Sequence, residues 1–114
     1  MVNAKLVLEQ GLLKSCRISG HAGAGPKGGD IVCAAVSVLA RTAFKVLSER
    51  KGITVQGGNP ERGEFWMEII ALGIENREFL NGVGTYLEEG LLSVSKEYPS
   101  FCFVNLEERK QYGS

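Results

Sequence analysis

The residues best suited to covalent chemistry sit in one stretch, Gly20-His21-Ala22-Gly23-Ala24-Gly25-Pro26-Lys27-Gly28-Gly29-Asp30-Ile31-Val32-Cys33, which carries the only histidine of the chain and one of its three cysteines. A thiol and an imidazole held together make a nucleophile with its base. Gly20 before the histidine, and Gly23, Gly25, Gly28 and Gly29 between the two, let a substrate backbone approach closely and let the connection change shape.

Three readings of this stretch remain open from the residues alone. In the first it is a flexible connection, with His21 on the surface and Cys33 a small core hydrophobe, a common fate of reduced cysteine. In the second, Gly23-x-Gly25-x-x-Gly28 matches a dinucleotide-binding fingerprint between a strand and a helix. Against it, Pro26 removes a backbone donor, and no acidic residue follows the next strand at Gly57-Gly58-Asn59 to hold a ribose. In the third, Cys33 is a nucleophile activated by His21. With Asp30 as N-cap, Cys33 falls at the third helical position, where unpaired N–H groups and the helix dipole stabilise a thiolate. The thiolate would attack a carbonyl, His21 would protonate the leaving amine, and the Cys33 N–H with loop N–H groups would form the oxyanion hole. Asp30 can orient His21 or cap the helix. Ser37, one turn on, can hydrogen-bond near the thiol or back-bond to the Cys33 carbonyl.

The elements that must hold these residues follow from periodicity. Residues 4–9 and 13–19 read as strands of a hairpin around Gln10-Gly11. A helix spans 31–49 and stops at Lys51-Gly52. From Ile31 to Ala40 it is apolar almost all round apart from Ser37, so it is central in the fold or covered by a second subunit. Strands at 53–57 and 65–71 flank the turn-rich loop "GNPERGE". A second helix over 77–97 carries Leu80, Val83, Leu87, Leu91 and Val94 at helical spacing, with Asn76 as its cap. Gly82, Gly84 and Gly90 each weaken it by up to about 1 kcal/mol, which points to another backbone packed closely there, or to a dimer contact. A last strand covers 101–107. The order ββαββαβ gives an α+β fold, a two-layer sandwich with a mostly antiparallel sheet and two helices. Residues 1–114 form a single domain.

Composition narrows the function. At 44% hydrophobic and 23% charged residues, the chain is of soluble globular type. Its 13 basic residues balance 13 acidic ones, and no Lys/Arg run is present, which argues against direct nucleic-acid binding. The N-terminus lacks the features of a secretory signal, and no unbroken apolar run reaches the roughly 18 residues of a membrane span. The spacing of Cys16, Cys33 and Cys102 fits neither a disulfide framework nor a zinc site. Cys16 and Cys102 read as core residues. The expectation is a cytoplasmic protein with reduced thiols that uses no metal and no cofactor.

The motif itself carries a resemblance. Gly20-His21-Ala22, a loop, then Gly28-x-Asp30-Ile31-Val32-Cys33-Ala34-Ala35-x-Ser37 resembles the signature of the ribosomal-processing cysteine protease family (Prp). The loop Gly23-Ala24-Gly25-Pro26-Lys27 departs from that pattern in being richer in glycine. The resemblance implies a homodimeric cysteine endopeptidase of α/β architecture, with Cys33 as nucleophile, His21 as general base and Asp30 and Ser37 as supporting residues. Gly20, Gly23, Gly25, Gly28 and Gly29 would form the substrate loop. The implied substrate is the N-terminal peptide of a large-subunit ribosomal protein precursor. Such proteases remove a short N-terminal extension from ribosomal protein twenty-seven, cutting after a hydrophobic, Phe-containing segment. The alternative is a non-catalytic ribosome-assembly or peptide-binding factor that uses the same glycine-rich groove.

Overall fold

The computed structural model describes residues 1–21 and 27–110. Strands β1 (Val2–Glu9) and β2 (Leu12–Ser19) pair antiparallel, from Asn3 opposite Ser19 to Glu9 opposite Leu12. Gln10 and Gly11 join them with φ of 52° and 81°. Two positive φ values are what a two-residue hairpin turn needs to follow the strand twist. Helix α1 (Lys27–Ser48) comes next, followed by the hairpin of β3 (Ile53–Gly58) and β4 (Phe65–Leu72). A 3₁₀ turn at Ile74–Asn76 leads into helix α2 (Arg77–Glu97), and β5 (Cys102–Arg109) ends the described fold.

The sheet order is β3-β4-β2-β1-β5. All neighbours are antiparallel except β1 and β5, which run parallel from Val2 opposite Cys102 to Glu9 opposite Arg109. The expected two-layer α+β sandwich is therefore present, with a mixed sheet. Its connectivity explains both helices. β2 and β3 point the same way, as do β4 and β5, and like-directed strands of one sheet need a long crossover. α1 and α2 are those crossovers.

Alternation sets the core. Val2, Ala4 and Leu6 of β1, Cys16 and Ile18 of β2, and Phe65, Met67 and Ile69 of β4 are buried beneath the helices. Their neighbours Asn3, Lys5 and Arg17 are exposed on the opposite face, where Lys5 and Glu107 form an ion pair at 3.1 Å. α1 buries the stripe Val32, Val36, Ala40, Ala43 and Leu47, and α2 buries Leu80, Gly84, Leu87 and Leu91.

Two expectations about α2 change. Asn76 occupies its N-cap position but makes no side-chain capping bond. Instead the side chain is buried, accepts a hydrogen bond from Arg50 Nε at 2.9 Å and donates to the Lys51 carbonyl at 2.8 Å. The demand for partners in a buried corner outweighs the capping role. The α2 glycines differ: Gly84 packs on Leu13 of β2, whose backbone N would lie 3.8 Å from an added Cβ, and Gly90 packs on a side chain of α1 alone. A Cβ at Gly84 would stand 3.0 Å from Leu13 Cβ, and one at Gly90 2.8 Å from a Leu39 methyl, whereas Gly82 is open.

α1 is the most apolar element. Its richest stretch within Gly29–Ser48 has a mean hydropathy of 1.7, enough by length and composition to cross a membrane, yet only 28% of it is buried within the chain. Besides the stripe on the sheet, it presents Ile31 and Val38 to solvent at 52% and 65% exposure.

Asn76→Ala strands the Arg50 and Lys51 groups in that corner and should lower unfolding free energy by about 1–3 kcal/mol in urea titrations. Burial also pushes the Cys16 thiol from an ordinary 9.0 up to about 12. The unfolded chain then loses this proton above pH 9 while the folded one keeps it. Stability should fall as pH rises from 9 towards 12, with Cys16 supplying up to about 1.4 kcal/mol per pH unit. Unfolding midpoints of Cys16→Ala should show a correspondingly shallower decline over that window.

Candidate active site

His21 lies two residues past the end of β2, which is flanked by the start of β1 (Asn3 opposite Ser19) and the start of β4 (Phe65 opposite Ile18). The chain leaves the strand at Gly20, with φ +82°. A Cβ there would strike the Met1 carbonyl oxygen, so only glycine fits. The Met1 amine donates to the His21 carbonyl at 3.1 Å. The imidazole is exposed and lies against the β3–β4 loop at Gly63, itself at φ +83°.

Cys33 lies on α1, but not where Asp30 as N-cap would put it. The helix begins at Lys27, so Asp30 is in its first turn and Cys33 is the seventh residue. A carboxylate is favourable anywhere in a first turn, so one aspartate does not fix the start. Gly28 and Gly29 are likewise helical and not part of a loop, and Gly23 and Gly25 lie outside the described residues. The correction has a chemical consequence. At the seventh position the Cys33 N–H belongs to the helix's own ladder and is not available as an oxyanion donor, and the dipole fades after the first turn.

The chain nevertheless brings the expected side chains to one place. His21, Asp30, Cys33 and Ser37 all line a cleft of about 820 Å³, with Ile18 and Phe65 among its apolar walls. On α1, Asp30, Cys33 and Ser37 are spaced by three and four residues and share a flank of the helix. Cys33 is half-buried beside the core, while Cys16 and Cys102 are buried in it. Burial raises the thiols of Cys16 and Cys102. No disulfide joins the three. Among the described residues no His, Cys, Asp or Glu cluster could hold a metal ion.

One wall of the cleft was not visible in the sequence. The β3–β4 loop contributes Asn59, Glu61, Arg62, Gly63 and Glu64, residues that read as a plain hairpin connection. The usable signal was indirect: once β4 pairs with β2, the loop before Phe65 must project beside His21. Arg41 of α1 also went unremarked. It lines this cleft and an adjoining hollow of about 390 Å³ that reaches Lys45.

Comparisons with known proteins bear on the fold and the family. The chain is similar in structure to SMU.848 from Streptococcus mutans, with 27% identity, 96% of each chain covered and a TM-score of 0.78. It is also similar to an essential ribosomal processing protease Prp from S. aureus solved in complex with a substrate peptide, with 16% identity, 94% of this chain and 100% of that one covered, and a TM-score of 0.79. The same S. aureus protease with a covalently linked product peptide gives 18% identity, the same coverage and a TM-score of 0.77. Among curated proteins no sequence matches. The family model described as cysteine protease Prp matches residues 1–102, and the chain belongs to that family.

Proposed function

We propose that this protein is a cysteine endopeptidase that removes the N-terminal extension of large-subunit ribosomal protein twenty-seven, with Cys33 as nucleophile and His21 as general base. The observation that carries the reading is the convergence of Cys33, His21, Asp30 and Ser37 on one cleft in a chain of the cysteine protease Prp family. The S. aureus relative, bound to a substrate peptide and to a covalently linked product peptide, supports peptide cleavage in such a fold.

The chemistry balances with these groups alone. His21 takes the Cys33 proton as Sγ attacks the scissile carbonyl carbon, forming the S–C bond and an oxyanion. Collapse breaks the C–N bond, and His21 gives its proton to the leaving amine. A water deprotonated by His21 then hydrolyses the thioester and restores the thiol. In this reading Asp30, exposed in the first turn of α1, orients the imidazolium. Ser37 lies one turn beyond the thiol.

The cleft also suits the substrate. From Cys33 to Lys45 the groove along α1 spans twelve residues, about 18 Å at 1.5 Å per residue. An extended peptide covers that length in roughly five residues. Phe65 lines both parts of it, in keeping with a hydrophobic, Phe-containing segment ahead of the cut.

Assembly and place complete the reading. Exposed Ile31, Ala34 and Val38 lie on α1 away from the Cys33 flank, and their burial against a second copy accounts for a helix so apolar on its outer side. The protein acts as a homodimer in the cytoplasm, where ribosomes are assembled.

Incubated with the organism's own ribosomal protein twenty-seven precursor, the wild-type protein should make a single cut near the N-terminus, read by mass spectrometry, and Cys33→Ala should make none. His21→Ala should lower kcat by about 10²–10⁴-fold. A folded protein that holds the extended precursor without cutting it would identify a binding factor instead. Val38→Glu should shift the protein from dimer to monomer in sedimentation. An unchanged dimer would place the interface elsewhere.

A further inference from the structure

We propose that Gly63 of the β3–β4 loop is a positioning residue for His21, a rest that sets where the imidazole stands against Cys33. The inference builds on the Cys33–His21 reading above. A Cβ at Gly63 would lie 2.6 Å from His21 Cδ2, 3.5 Å from Cγ and 3.2 Å from the Gly20 carbonyl oxygen. Ordinary contact begins near 3.4 Å, so a methyl group there displaces the ring edge by about 0.8 Å. Gly63 has φ +83°, a conformation that favours glycine and presents its bare Cα to the ring.

What yields on substitution is the imidazole. His21 is an exposed side chain that can turn about its own bonds. The neighbouring main chain at Gly20 is held from both sides, by β2 and by the Met1 carbonyl against which Gly20 packs. The loop that bears Gly63 also lines the cleft through Glu61, Arg62 and Glu64. The wall that meets the substrate is therefore the wall on which the base leans. A misplacement of about 1 Å in a reacting group costs on the order of 10²-fold in rate, so the contact bears on turnover more than on stability.

The test compares two glycines of the same backbone type. Gly11 also has positive φ, at +81°, but a Cβ there meets nothing within 4 Å, and it sits at the far end of β2. Gly11→Ala thus carries the backbone penalty without the ring contact. Iodoacetamide alkylation of Cys33 is followed at neutral pH in wild type, Gly11→Ala, Gly63→Ala and His21→Ala. Gly63→Ala should slow alkylation by about tenfold or more, towards the His21→Ala rate, and lower kcat with little change in KM. Gly11→Ala should match wild type while melting at a temperature similar to Gly63→Ala. If His21→Ala slows alkylation and Gly63→Ala does not, the positioning role is overturned and the dyad stands. If His21→Ala leaves alkylation unchanged, the dyad itself falls and the positioning role with it. A measurement on the unmodified protein covers a Gly63→Ala variant that does not fold. With one histidine in the chain, the imidazole proton signals are unambiguous. A nuclear Overhauser effect between Gly63 Hα and His21 Hδ2 is expected, and its absence would overturn the contact.

Discussion

The rotation of α1 on the sheet is the constraint on which the site depends. Val32, Val36, Ala40, Ala43 and Leu47 must all face the sheet to be buried, and together they leave the helix no freedom to turn about its axis. Each residue advances the helix by about 100°. Cys33 and Ser37, one position after Val32 and Val36, are therefore carried to one flank of the buried stripe, while Ile31 is carried to the other. The thiol is aimed by residues that have no chemistry of their own. Filling the core and directing the Cys33 thiol are one packing problem.

The histidine is placed by a different part of the fold. It sits at the end of β2, whose register is fixed by β1 on one side and β4 on the other. A slip of one residue in a strand would exchange its two faces and bury Arg17 in place of Cys16 and Ile18. The alternation of buried Cys16, exposed Arg17 and buried Ile18 thus sets how the strand ends and so where His21 emerges. Two independently determined elements, a helix rotation and a strand register, meet at the cleft.

Much of this was legible before the coordinates. The seven principal elements and their order follow from periodicities of two and of 3.6, because most faces here are either clearly buried or clearly exposed. The Gln10-Gly11 turn follows from turn chemistry. What was not legible depended on partners distant in sequence. Asp30 looked like a cap because local sequence cannot say which acidic first-turn position begins a helix. Asn76 looked like a cap because its pairing with Arg50 and Lys51 exists only once α1 and α2 meet at a corner. The small residues of α2 pointed to close approach correctly, but Leu13 and Leu39 as the approaching groups required the tertiary arrangement. The charged residues of the β3–β4 loop became cleft residues only through the pairing of β4 with β2. In each case the sequence shows a demand, and the fold decides what meets it.

The parallel pairing of β1 with β5 has a consequence for how the molecule comes into being. β1 is an inner strand, yet one of its neighbours is the last strand of the fold, about a hundred residues away. During synthesis β1 and β2 can form their hairpin early, but the free edge of β1 stays open until residues 102–109 have been made. Val2, which lines the cleft, takes its backbone partner from Phe101 in that same late segment. Contacts of such long range close last and slow the approach to the native state. The cleft is thus completed only once residues 101–109 have emerged, so a nascent chain that has not yet reached β5 does not carry a finished cleft.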